Sequence, residues 1–254
     1  MKEFTAGMLR VIVSASRAEM GANAGAHAAQ AISAAIERYG SARIILASAP
    51  SQNETLAGLL ASRVDWSRVT IFHMDEYAGL AADHLQTFRA YQRAHVLSRI
   101  TPFAFHGIAG ESADTAAECA RYSALLGEAP IDVCCLGIGE NGHLAFNDPP
   151  VADFADPALV KLVELDAACR QQQVNDGCFP TLAAVPTHAL TLTIPALMSA
   201  RELVCSVPGP RKVDAVRATL HGEISTSCPA SILRRHPNAS LYVDMDAAGE
   251  RPTG

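Results

Sequence analysis

The sequence predicts an α/β fold, a single domain over 1–254 with an open, mostly parallel sheet and helices on both faces. Three observations predict it. Short apolar runs alternate with helix-like segments along the chain, which is the signature of strands joined by crossover helices. A glycine-rich stretch follows one apolar run directly, where the carboxyl end of a strand would meet a crevice. The chain has 254 residues, 49% of them hydrophobic and 18% charged, enough apolar mass to bury a large core.

The elements follow in order. Residues 9–13 read as a strand, and Ser16-Arg17-Ala18-Glu19 has the spacing of a helix-capping box before an alanine-rich run that stops at Gly40. Apolar runs at 43–47, 69–73, 131–136, 189–193, 203–207 and 241–243 read as further strands. Helical patterns at 54–62, 85–97, 115–126, 211–220 and 230–235 fall between most of them. This alternation gives a Rossmann-like sheet. Residues 151–186 break the rhythm with Pro157, Pro180, Pro186 and the polar run 170–176, and read as an irregular excursion near the active site. The tail 245–254 is short and polar and is expected to fray.

Composition removes several functions. A formal net charge of −6 and a pI near 5.8 leave no basic footprint, so neither nucleic acid nor an anionic membrane is expected as a partner. No apolar run approaches the ~20 residues that span a bilayer, and the N-terminus has no signal-peptide pattern. A cytoplasmic location is expected. The seven cysteines are unpaired by spacing and read as reduced thiols, with Cys134 and Cys135 on opposite faces of a buried strand. A small-molecule partner remains, and a homo-oligomer is compatible with the sequence.

The chemistry concentrates in Gly137-Ile138-Gly139-Glu140-Asn141-Gly142-His143-Leu144-Ala145-Phe146-Asn147-Asp148, followed by Pro149 and Pro150. Glycine at 139 lets backbone approach a ligand. His143 exchanges a proton near neutral pH, and Asp148 stands five residues on, across a turn assigned to the two prolines. Asp75 lies just beyond the strand 69–73, where catalytic groups collect; a desolvated carboxylate there can remove a proton α to a carbonyl or imine. The plainer alternatives are a capping aspartate at 75 and a backbone-bonded turn histidine at 143. There is no His-Glu-x-x-His, Cys-x-x-Cys, Gly-x-Ser-x-Gly or Walker pattern, so no metal and no cofactor is expected. Asp75, Glu76, His143 and Asp148 are the one set that could meet on a divalent ion.

The glycine–histidine stretch, together with His73-Met74-Asp75-Glu76-Tyr77-Ala78-Gly79-Leu80 and a third block running from Ala189 through Lys212 to His236-Pro237, resembles the glucosamine-6-phosphate deaminase (isomerase) family over nearly the whole chain. The resemblance implies a cofactor-independent conversion of an amino-sugar phosphate to a ketose phosphate and ammonia. It implies Asp75 as the base that moves the C2 proton and His143 as the ring-opening acid/base. Glu76 and Tyr77 are expected to be structural. Asn141 stands where better-known members carry an aspartate, and Asp148 where they carry a glutamate; an amide orients an imidazole without offering it a charge. The turn with Ser48, Ala49 and Ser51 matches the family's phosphate loop, with Lys212 and Arg170 as its cations; an ordinary serine-rich turn and a solvated arginine are the alternatives. Two rival functions remain, a 6-phosphogluconolactonase-like hydrolysis of a sugar-phosphate lactone and a non-catalytic sugar-phosphate sensor.

Overall fold

Most of the apolar runs assemble into one sheet of eight strands. In the computed structural model, which describes residues 1–250, these are β1 (Lys2–Ala6), β2 (Leu9–Ser14), β3 (Ala42–Leu46), β4 (Val69–His73), β6 (Ala104–His106), β7 (Val133–Leu136), β10 (Glu202–Val207) and β11 (Ala239–Asp244). They run in the order β1-β2-β11-β10-β7-β3-β4-β6, parallel throughout except for β1, which pairs antiparallel with β2 at the edge. From β3 the chain moves outward through β4 to β6 and returns to the other side of β3 at β7. The switch point therefore falls between β3 and β7, the crevice where open α/β sheets bind ligands.

Helices cover both faces. Helices α1 (Arg17–Tyr39) and α2 (Asn53–Ala61) bury Met20, Ala24, Ile32, Leu56 and Leu59 against Ile44, Ile71, Val133 and Cys135. On the other face α4 (Thr115–Gly127), α6 (Ile194–Met198) and α7 (Val213–His221) pack on Ile45, Phe72, Cys134 and Leu203. Adjacent Cys134 and Cys135 thus point to opposite layers, as strand alternation requires. At the start of α1, Ser16 accepts the Glu19 amide at 3.2 Å while Glu19 reaches back to the Ala15 amide at 2.8 Å, and Gly40 ends the helix in the left-handed region.

Three expectations need correction. The run at 189–193 leaves the main sheet: β9 (His188–Leu192) pairs antiparallel with β5 (Asp75–Tyr77) and β8 (Val160–Glu164) in a separate three-stranded sheet. The excursion 151–186 is partly regular, contributing β8 and α5 (Ala167–Asn175), whose N-cap Asp166 accepts the Ala168 and Cys169 amides. After Asp244 the chain turns back instead of fraying, with Ala247 fully buried and the Ala248 amide bonded to the Asp244 carbonyl. Of the tail expected to fray, residues 251–254 lie outside the described residues. The segment 85–97 forms α3 (Phe88–Gln92) and then a wider, π-helical turn at Arg93–Leu97.

The small sheet matters because β5 begins one residue after β4 ends. Strand β4 delivers Asp75 to the carboxyl edge of the main sheet, and pairing with β9 pins it there, opposite Thr191.

Candidate active site

A cleft opens at the carboxyl ends of β3, β4, β7 and β10, walled on one side by α5. It gathers Ser48, Ala49 and Ser51 from the turn after β3, Asp75 from β5, Gly139 and His143 from the loop after β7, and Lys212 from the turn before α7. Asn141 and Asp148 stand behind His143 and are bonded to it. Of the residues singled out in the sequence, only Arg170 is elsewhere.

The histidine is held from behind. The Asp148 carboxylate lies 2.9 Å from His143 Nδ1, and the Asn141 amide oxygen lies 2.7 Å from the same nitrogen. Asn141 Nδ2 in turn donates to Asp148 Oδ1 at 2.9 Å. Asp148 is fully buried. Burial works to raise its pKa, but the hydrogen bond and charge of His143 and the Asn141 amide outweigh it, and Asp148 is held below the usual carboxylate range. The ring lies against Gly139, where a Cβ would come 2.2 Å from it. Gly139 is therefore needed for the imidazole itself as much as for any ligand.

The fold-back from His143 to Asp148 is not made by Pro149 and Pro150. Ala145 adopts a left-handed φ of 51°, a conformation that costs a non-glycine residue energy and collects at functional sites. Asn147 locks the turn by donating to the Leu144 and Leu192 carbonyls, both at 2.8 Å.

Asp75 is 8% exposed, and among the described residues its carboxylate takes no hydrogen bond. Burial first, and the neighbouring Glu76 charge second, push its pKa well above the ordinary carboxylate range. Such a group is a stronger base than a solvated aspartate and is free to receive a proton. Glu76 points away from the cleft and accepts the Tyr77, Phe88 and Arg89 amides at 2.9–3.0 Å, anchoring the start of α3. Glu76 and Tyr77 are structural. Beneath them, burial pushes His73 down to about 3, and its Nε2 accepts the Ile108 amide at 2.8 Å as a neutral ring.

At the opposite end of the cleft, Lys212 is 8% exposed and forms no ion pair among the described residues. Burial lowers its pKa, partly countered by Asp176 and Glu140. Those two carboxylates are also engaged by Arg211, at 2.6 Å from Asp176 and 3.2 Å from Glu140, so Lys212 faces the cleft without an ion-pair partner among the described residues. Gln92 donates to Ser48 Oγ at 2.9 Å and Gln52 to Ser51 Oγ at 3.3 Å, leaving both hydroxyl protons free to point at an anion. The arrangement suits a phosphate.

Arg170 instead donates to the Leu182 and Val185 carbonyls at 2.7 and 2.9 Å and pins the loop after α5. It sits one residue, about 100° of helix, away from the inner face. That face carries Cys169, Gln172 and Gln173, of which the two glutamines line the cleft. Sequence reasoning missed all three; their i, i+3, i+4 spacing was the available signal. The four-residue set that could have met on an ion does not assemble, because Glu76 is committed to α3. Among the described residues the convergent group is His143, Asp148 and Cys169.

A family model described as glucosamine-6-phosphate isomerases/6-phosphogluconolactonase matches residues 15–242. The chain is similar to the glucosamine-6-phosphate deaminase of Listeria innocua serovar 6a, 37% identical over 199 residues covering 78% of this chain and 83% of the relative. It is 32% identical over 241 residues to that of Lactobacillus delbrueckii subsp. bulgaricus, covering 94% and 98%. Among solved structures it resembles a monomeric glucosamine-6-phosphate deaminase with a TM-score of 0.85 at 30% identity, over 95% of this chain and 99% of that one. A 6-phosphogluconolactonase from Shewanella baltica matches with a TM-score of 0.75 at 17% identity, over 95% and 99%, a likeness of fold alone.

Proposed function

We propose, from the premise that this chain belongs to the glucosamine-6-phosphate isomerase/6-phosphogluconolactonase family, that it is a glucosamine-6-phosphate deaminase, converting glucosamine 6-phosphate and water to fructose 6-phosphate and ammonia. Lys212, Ser48 and Ser51 bind the phosphate. His143, steadied by Asn141 and Asp148, carries a proton between the ring oxygen O5 and the hydroxyl on C1, opening the sugar to its aldehyde. Only then is the C2 proton acidic. Asp75 removes that proton, giving an enol that bears the amine on C2, and returns it to C1; the C2 imine so formed takes up water and releases ammonia.

The observation that carries this reading is Asp75, a buried carboxylate of raised basicity, in the same cleft as an oriented histidine and a lysine; among the described residues the carboxylate takes no hydrogen bond and the lysine no ion pair. A lactone hydrolase has no carbon acid to deprotonate and gives such a group no task. No helix among the described residues is long and apolar enough to cross a membrane. A cytoplasmic location follows from the substrate, since a doubly charged sugar phosphate stays where it is made.

The test is turnover by the purified protein. Ammonia and fructose 6-phosphate should appear in equal amounts from glucosamine 6-phosphate, with no acid released from 6-phosphogluconolactone. Lactone hydrolysis without deamination would move the chain to the other branch of the family, and tight binding with no turnover would make it a sensor.

A further inference from the structure

We propose that Cys169 is a positioning residue of the histidine relay, its thiol donating to the second carboxylate oxygen of Asp148. The inference rests on the role assigned above to His143 and Asp148.

The two oxygens of Asp148 have unequal surroundings. Oδ1 meets His143 Nδ1 and Asn141 Nδ2, both at 2.9 Å, whereas Oδ2 is buried without a hydrogen-bond partner among the described residues. Buried carboxylate oxygens are rarely left unpaired, because water no longer solvates them and nothing else compensates. Cys169 is the donor at hand. Its Sγ, a carboxylate oxygen of Asp148 and a ring nitrogen of His143 all lie within 4.8 Å of one another. Cys169 is 1% exposed and stands in the first turn of α5. The Asp166 side chain fixes that turn by accepting the Cys169 amide at 3.0 Å. Burial, and then the Asp148 charge, raise the thiol pKa well above its ordinary value, so the sulfur keeps its proton and remains a donor. The Asp166 backbone amide, at the start of α5, also works to lower the Asp148 pKa.

The device suits this relay in particular. Asn141 offers His143 no charge, so Asp148 alone must stay ionised while the imidazole carries the sugar's proton. Each donor to Asp148 lowers its proton affinity and keeps the mobile proton on the ring, within reach of O5 and O1.

A packing role is the competing account, since Cys169 also touches the small apolar cluster of Phe146, Leu165 and Phe179. Two substitutions rank oppositely under the two accounts. Valine fills the volume without donating; serine donates without filling it. Positioning requires Cys169→Ser to hold kcat within about threefold, while Cys169→Val lowers kcat at least about tenfold with KM little changed and moves the acid limb of the kcat/KM profile upward. A second readout needs no substrate: the downfield proton NMR signal of the His143 Nδ1–H, sharp in the wild type, should broaden or shift in Cys169→Val and be restored in Cys169→Ser. That signal judges Cys169 even if the wild type proves not to deaminate glucosamine 6-phosphate. Should valine disrupt folding, Cys169→Ala takes its place in both measurements. A non-donating variant with the wild-type pH profile and an unchanged Nδ1–H signal would overturn the proposal, as would a serine variant that behaves like valine.

Discussion

The Asn141 side-chain oxygen lies 2.7 Å from His143 Nδ1, and the nitrogen of the same amide donates to Asp148 at 2.9 Å. Asn141 therefore bridges the ring and its carboxylate, using one end of the amide for each. The oxygen also accepts the His143 backbone amide at 3.1 Å, which fixes the turn that carries the ring. A second carboxylate at position 141 would repel Asp148 across the contact the amide now makes. Asn141, His143 and Asp148 thus form one connected group in which Asp148 supplies the carboxylate.

Asp75→Asn should abolish deamination and leave ligand binding within about tenfold, because the role proposed for the carboxylate is proton transfer and not anchoring of the sugar. It should also stabilise the fold at neutral pH. Burial raises the folded pKa of Asp75, so the folded state retains a proton that the unfolded chain releases near pH ~4. Stability falls as pH rises from there through the folded value, and asparagine escapes the loss. Thermal unfolding from pH 4 to 8 should give a Tm advantage for Asp75→Asn that grows with pH and vanishes at the acid end. A variant less stable than wild type at pH 8 would mean that the charged carboxylate has a partner.

The two cations assigned from the sequence should separate cleanly. Lys212→Ala removes a cleft cation that has no ion pair among the described residues and should raise KM for the phosphorylated sugar by about 10- to 100-fold, while an unphosphorylated analogue is hardly affected; a charge-assisted contact contributes on the order of 1.5–3 kcal/mol. Arg170→Ala should leave that ratio alone and lower stability instead, because its guanidinium donates to the Leu182 and Val185 carbonyls. Calorimetric unfolding alongside steady-state kinetics distinguishes them. A selective KM effect at Arg170 would return it to the phosphate site.

That contrast marks what the sequence could say. Strands β2, β3, β4, β7, β10 and β11 are apolar runs whose burial on both faces writes them plainly into composition. The candidate site residues at the ends of β4 and β7 were legible because glycine, histidine and aspartate fall where a strand stops. Strand β5 was not: three residues, separated from β4 by Met74 alone, change sheet through a bend that leaves no periodic trace. Strand β8 alternates only weakly and follows Pro149, Pro150 and Pro157, so residues 151–186 looked irregular. The reach of α5 into the cleft depends on helix phase. One residue of error exchanges Cys169, Gln172 and Gln173 for Arg170, and charge drew attention to the wrong member of that set.

Asn141→Asp and Asp148→Asn test the relay from opposite sides. In Asn141→Asp, an oxygen replaces the nitrogen now 2.9 Å from Asp148 Oδ1. Two carboxylates at that distance do not ionise together, so the pair keeps one proton to a higher pH than Asp148 does alone. The variant should remain active, with the acid limb of its kcat/KM profile shifted upward by about one pH unit or more. Its stability should match wild type at low pH and fall behind as pH rises through the raised value of the pair. Asp148→Asn is the opposite case. The pKa of Asp148 is held down in the folded state, so its contribution to stability is present above the ordinary carboxylate value and lost as pH falls through the folded one. Asparagine forfeits that contribution and leaves no carboxylate against the ring; kcat/KM should drop by about 100-fold or more, because nothing then stabilises the imidazolium. The measurement is the pH profile of kcat/KM for both, with unfolding at matched pH. If Asp148→Asn kept full activity, the proton would have to travel without an anion behind His143. Glu140, 3.2 Å from Arg211 and turned away from the ring, is not placed to supply one.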